Sequence, residues 1–145
     1  LPQVLLSWTL AVGVVGTAAF PQVYPYHRTL TGDMAVTQHA RDLAHAVSLI
    51  PDDVCVEAAD NAVPHLTART HVGLHGDIGD ELSTWVIVDT SVEELGGWDP
   101  LTPAQAMARA DRLGFEVVWA ERDVVVLRHP TRGVSPVCST YLEHR

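Results

Sequence analysis

The residues of this chain that could do chemistry crowd into 55–89: Cys55, Asn61, His65, His71, His75, Asp77, Asp80, Glu81 and Asp89. His71 and His75 flank a stretch of alternating residues, which puts them on one face of a strand with His65 near in sequence. Three or four such ligands drawn together would make a zinc site. Exposed or hydrogen-bonded histidines are the better explanation of the spacing. Asp77, Asp80 and Glu81 stand between glycines, where a hard cation such as calcium takes carboxylate oxygens, but EF-hand spacing is missing and many ligands would have to converge. A solvated acidic loop is the expectation there. A small metal-dependent hydrolase would require that loop and the histidines to meet, and no metal or other cofactor is assigned.

Nucleophilic and nucleotide chemistry lack their usual surroundings. None of Ser7, Ser48, Ser83, Ser91, Ser135 or Ser139 lies in GxSxG, and no GxGxxG follows a strand to cradle a phosphate. No catalytic residue is assigned. Asp89 closes an apolar run, at the end of a strand where open α/β sheets bind ligands. Asn61 and His65 belong to a polar turn. Together Asn61, His65 and Asp89 are the candidate ligand contacts, with Trp85 or Trp98 as a stacking surface for a glycan or a polyprenyl-linked acceptor. Against this, Asn61 also suits a turn that needs unusual backbone angles, and His65 suits a hydrogen bond holding its own loop.

Elements that could position these residues are legible from periodicity. Apolar residues at Met34, Ala40, Leu43, Ala44, Val47 and Ile50 predict a helix with one buried face, with Gln38, Arg41, Asp42 and Ser48 largely opposite, stopped by Pro51. Strands are expected at 54–58, 71–74 and 85–89, with a helical turn at 62–67 between the first two. Thr102-Pro103 starts a helix in the favoured way, and Gly114 ends it. Two strands, 115–120 and 124–129, form a hairpin about Glu121-Arg122-Asp123. Residues 130–145 show no period and are expected to wrap the surface. The class is α/β: a mainly parallel, partly mixed sheet of about five strands with flanking helices.

Composition adds a location. Residues 1–20 carry no charge and are long enough to cross a bilayer, which takes about 20 apolar residues. Gly13, Gly16, Ala18 and Ala19 suit packing against neighbouring membrane helices. The expectation is a transmembrane helix at 1–22, the last of a larger multi-pass protein, then a linker at 23–33 and an α/β domain at 34–145. Tyr24 and Tyr26 fit interfacial depth, and with Arg28 the lone nearby cation the domain belongs on the extracytoplasmic side of the cell membrane. A net charge of −9, with all nine basic residues scattered arginines, argues against nucleic acid and against a polybasic membrane patch. Cys55 and Cys138 can pair only in an oxidising compartment, and two separate thiols, Cys55 packed as a small apolar residue, are the expected state.

Several of these stretches together resemble the C-terminal region of the DUF2079 family of predicted multi-pass membrane proteins. The resemblance is carried by Leu49-Ile50-Pro51, Asp53-Val54-Cys55-Val56, Asn61 followed by Pro64-His65-Leu66 and Arg69, the strand ending at Asp89, and Gly-Phe-Glu-Val-Val at 114–118. It covers most of the chain beyond Thr31 and departs from the family pattern at Glu57-Ala58, where Ser or Thr is usual. The resemblance implies an extracytoplasmic accessory domain, without chemistry of its own, attached to a membrane portion similar to lipid-linked-sugar glycosyltransferases. The family is uncharacterised in activity; the catalytic carboxylates of those glycosyltransferases sit in loops between early membrane helices, parts that this sequence does not contain, so none is carried over.

Overall fold

The structure, a computed structural model, describes residues 36–139. The expected transmembrane helix at 1–22, the linker at 23–33 and the domain's first residues at 34–35 lie outside the described residues. The first described helix, α1 (Gln38–Leu49), leads into β1 (Cys55–Ala58), the one-turn α2 (Val63–Leu66) and β2 (His71–Gly73). Then come β3 (Trp85–Asp89), α3 (Pro103–Arg112), the hairpin β4 (Glu116–Glu121) and β5 (Val124–Arg128), and a last turn α4 (Pro136–Ser139).

The five strands form one sheet in the order β2-β1-β3-β5-β4. β1 runs parallel to both β2 and β3, whereas β5 is antiparallel to β3 and to β4. The sheet is therefore mixed in equal parts rather than mainly parallel. Its cause is the hairpin: its second strand, not its first, docks on β3, so the chain meets β3 from the opposite direction.

Side chains alternate across the sheet and build a core on each face. On one face, Leu43, Ala46, Val47 and Ile50 of the α1 region pack with Val56, Ala58, Leu66, Ile87, Val124 and Val126. On the other, Ala106 and Ala110 of α3 pack with Val86, Val88, Leu95, Phe115 and Leu127. From β1 the chain leaves through α2 on the first face toward β2. From β3 it leaves through α3 on the second face toward the hairpin. The two connections part at the β1–β3 pair, so the crevice beyond the carboxyl ends of these strands is the topological switch point of the sheet.

α3 begins as its sequence predicts. Thr102 accepts from the Gln105 amide at 3.3 Å while Gln105 Oε1 accepts from the Thr102 amide at 2.8 Å, a reciprocal cap that holds the first turn. Gly114 adopts φ +82° just past its end. The buried face of α1 differs from expectation. Asp42 is buried, whereas Ala40 and Ala44 are exposed. The row 39, 43, 46, 50 sets the inward stripe, and Asp42 can join it because the Arg122 guanidinium binds its carboxylate at 2.7 and 2.8 Å. That ion pair holds the Asp42 carboxyl below its ordinary range and clamps the hairpin turn, where Arg122 sits at φ 48°.

The cysteines also depart from expectation. Cys55 and Cys138 form a disulfide with Cα atoms 5.3 Å apart. α4 thus seats fully buried Cys138 against the start of β1, so the tail as far as 139 is tied down rather than only laid over the surface.

Candidate functional site

Two carboxylates with no solvent exposure sit in this sheet, Asp89 and Glu57. β3 directs Ile87 and Asp89 to the α1 face, and Asp89 is its last residue, at the mouth of the switch-point crevice. Across that mouth, the turn after β1 brings Asn61 close, and its Nδ2 donates to Asp89 Oδ2 at 2.7 Å. His39, in the first turn of α1, places Nε2 at 2.8 Å from the same oxygen. Asp89 Oδ1 accepts from the Ser91 amide at 2.9 Å and from Ser91 Oγ at 2.7 Å. Burial pushes the Asp89 carboxyl up, but the Ser91 and Asn61 hydrogen bonds and the neighbouring His39 outweigh it and leave Asp89 below its ordinary value of 3.8. Asp89 is thus an ionised, buried acceptor.

Asn61 is half-buried, and its Oδ1 is buried with no hydrogen-bond partner. An unmet acceptor of this kind costs about 1–3 kcal/mol. The amide orientation is fixed by chemistry, because turning it would set two acceptors against each other. The loop after β3 closes over the same turn: the Asp60 amide donates to Leu95 O at 3.2 Å, and a β-carbon on Gly96 would come within 2.9 Å of Asp60 Cβ. Gly96 (φ +88°) thereby lets the loop approach closely and present Trp98, wholly exposed, two residues on.

Of the three contacts predicted from sequence, the fold brings Asn61 and Asp89 together. His65 is exposed on α2, where its amide donates to Ala62 O at 3.1 Å. Trp85 lies at the start of β3, away from this mouth, with the Arg128 guanidinium 5.6 Å over its ring. His39 was missed. The signal for it was the stripe 39, 43, 46, 50, which sets His39 in line with the buried side of α1.

Glu57 faces the other way, toward α3. Arg109 binds it through both terminal nitrogens, Nη2 at 3.2 Å from Oε1, and binds Asp80 as well. The Glu57 hydrogen bond above all holds the Arg109 guanidinium protonated well beyond its ordinary range. His75 is buried beside this group. Burial pushes its pKa down to about 4, and Arg109 adds to the shift although the bond to Ile87 O opposes it. The ring is therefore neutral near pH 7, and Nε2 carries the proton it donates to Ile87 O at 3.0 Å. A shallow depression of about 270 Å³ beside α3, lined by Leu101, Gln105, Ala108, Arg109 and Arg112, includes no residue of the Asp89 cluster.

The acidic loop and the histidines have separate employments: Asp80 pairs with Arg109 and His75 with a backbone carbonyl. Among the described residues no three His, Cys, Asp or Glu side chains converge as a metal ion would need. No protein-family model, no curated protein and no solved structure matches the chain.

Proposed function

We propose that this chain is an extracytoplasmic accessory domain of a multi-pass membrane protein, and that its work is binding rather than chemistry. Its ligand is a glycan or polyprenyl-linked sugar held at the carboxyl ends of β1 and β3. The observation that carries the reading is the Asn61–Asp89 contact across the switch-point crevice, 2.7 Å long and joined by His39. Open α/β sheets bind ligands at that place.

The likeness to the C-terminal DUF2079 region favours the membrane affiliation, and with it a parent similar to lipid-linked-sugar glycosyltransferases. The Cys55–Cys138 disulfide favours an oxidising compartment. No described helix is long and apolar enough to cross a membrane. The bilayer contact therefore rests on the uncharged residues 1–20, which precede the described part.

Titrating the full chain with neutral saccharides and a short polyprenyl-linked sugar, read by Trp fluorescence, tests the binding. A saturable change, retained in a His65→Ala control, is expected. No change with any probe would contradict the reading. Recovery of the full chain in the soluble fraction would contradict its membrane part.

A further inference from the structure

The hydrogen bonds at Asp89 leave it no free place for a ligand. Ser91 takes its Oδ1, and Asn61 and His39 take its Oδ2. Asn61 is turned inward to that network, and the Ala62 and Val63 amides close its turn by donating to Ala59 O at 2.9 and 3.2 Å. The turn after β1 is thereby fixed, and the residue it holds out to solvent is Asp60. Among the described residues nothing hydrogen-bonds or pairs with the Asp60 carboxylate.

The loop after β3 is fastened to the same turn. Leu95 is fully buried, its amide donates to Leu101 O at 2.9 Å, and its carbonyl accepts from the Asp60 amide at 3.2 Å. Gly96 and Gly97 both take positive φ, +88° and +109°. Gly96 lies so close that a β-carbon on it would meet Asp60 Cγ at 3.1 Å and Oδ2 at 3.2 Å. Trp98 follows, wholly exposed. Two residues of chain reach at most about 7 Å, so the indole is carried within one sugar ring's reach of the Asp60 carboxylate. An indole left in water on a loop pinned this firmly contributes nothing to the core.

We propose that Asp60 and Trp98 form a sugar subsite. Trp98 stacks on the C–H face of one pyranose ring, and Asp60 accepts from two adjacent hydroxyls at its rim. The inference rests on the binding reading above and names the residues that touch the ligand, with Asp89 and Asn61 positioning Asp60. Charge sets the ligand class. Glu93, Glu94 and Asp99 are exposed on the same loop, and residues 70–108 contain no lysine or arginine. Such a surface repels phosphate, so a lipid-linked sugar would be held by its sugar end. Quaternary ammonium ligands take a cage of several rings. Trp98 presents a single face, which suits a flat sugar ring instead.

Calorimetric titration of the full chain with neutral saccharides, a short polyprenyl-linked sugar, a short prenyl diphosphate and choline tests this. The free and lipid-linked sugars are expected to bind alike, and prenyl diphosphate and choline not to bind. Trp98→Ala and Asp60→Ala should each weaken sugar binding about tenfold. Trp98→Phe and Asp60→Asn should each keep part of it, since a phenyl ring still stacks and an amide oxygen still accepts. Both residues are exposed, so circular dichroism should show every variant folded. Sugar binding unchanged in both alanine variants, or seen only with the lipid-linked form, overturns the subsite while leaving a binding module standing. Choline or prenyl diphosphate bound in place of sugar overturns its sugar class. Absence of binding by every probe overturns both readings.

Discussion

Asp89 and Glu57 are both buried without exposure in the same sheet, one facing α1 and the other α3, yet they are satisfied in opposite ways. Glu57 meets a full positive charge on Arg109, which also ties down Asp80 from the acidic loop. Each partner is consumed by the other, so that cluster is closed. Asp89 meets four donors, the Ser91 amide and hydroxyl, Asn61 Nδ2 and His39 Nε2, and Asn61 keeps a second polar atom, Oδ1, without a partner. A buried charge can therefore be stabilised as a lock or as a mount. The geometry of the donors, rather than the carboxylate itself, decides which.

The largest effect is expected from breaking the lock. Arg109→Met leaves Glu57 buried without its counter-charge and should cost about 3–5 kcal/mol in urea unfolding. Replacing both partners, Glu57→Leu with Arg109→Met, should recover most of that loss, because two apolar side chains leave no orphaned charge. The disulfide lies on the same face of β1 as Glu57. Cys55→Ala with Cys138→Ala should lower stability by about 2–4 kcal/mol, measured against the oxidised wild type.

Acid should weaken the α3 face first. His75 titrates near 4 when folded against 6.5 when free. Between those values the unfolded chain binds the extra proton, so stability is complete above about pH 6.5 and falls by about 3 kcal/mol as the pH drops to 4. His75→Gln should flatten that limb, and a wild-type stability curve level from pH 7 to 4 would contradict the burial of a neutral ring. Asp89 acts in a separate window. Its folded pKa is lowered, so its stabilisation is present above 3.8 and is lost as the pH falls below that value.

The α1 face should be more tolerant of stability change and less tolerant of functional change. Asp89→Asn turns one accepting oxygen into a donor facing other donors, and should cost about 1.5–3 kcal/mol. It should also abolish sugar binding by freeing Asn61 and His39 to rotate. The smallest stability effect belongs to His39→Ala, about 1 kcal/mol for one partly exposed hydrogen bond. Thermal melts and titrations run side by side separate the two kinds of damage.

Much of this architecture could be read from residue patterns. β3, the hairpin about Arg122, and α3 between the Thr102 cap and Gly114 follow from local signals that act within a few residues. Asn61 and Asp89 were legible because each ends or follows a strand. Less legible was anything set by pairing across long separations. Nothing local says that β5 rather than β4 docks on β3, nor that Cys138 reaches Cys55 across 83 residues. Asp42 looked solvated because a carboxylate on a helix usually is, and its burial depends on an arginine 80 positions away. His39 was hidden for the same reason: its partner Asp89 lies 50 residues on.

Amide chemical-shift mapping of the labelled chain during titration with a neutral saccharide tests the distinction between mount and lock most directly. Shifts are expected at His39, Asn61, Ser91 and the loop through Trp98, with the Glu57–Arg109 side unmoved. Shifts centred on Gln105, Arg109 and Arg112, or none around Asp89 at saturation, would contradict the account.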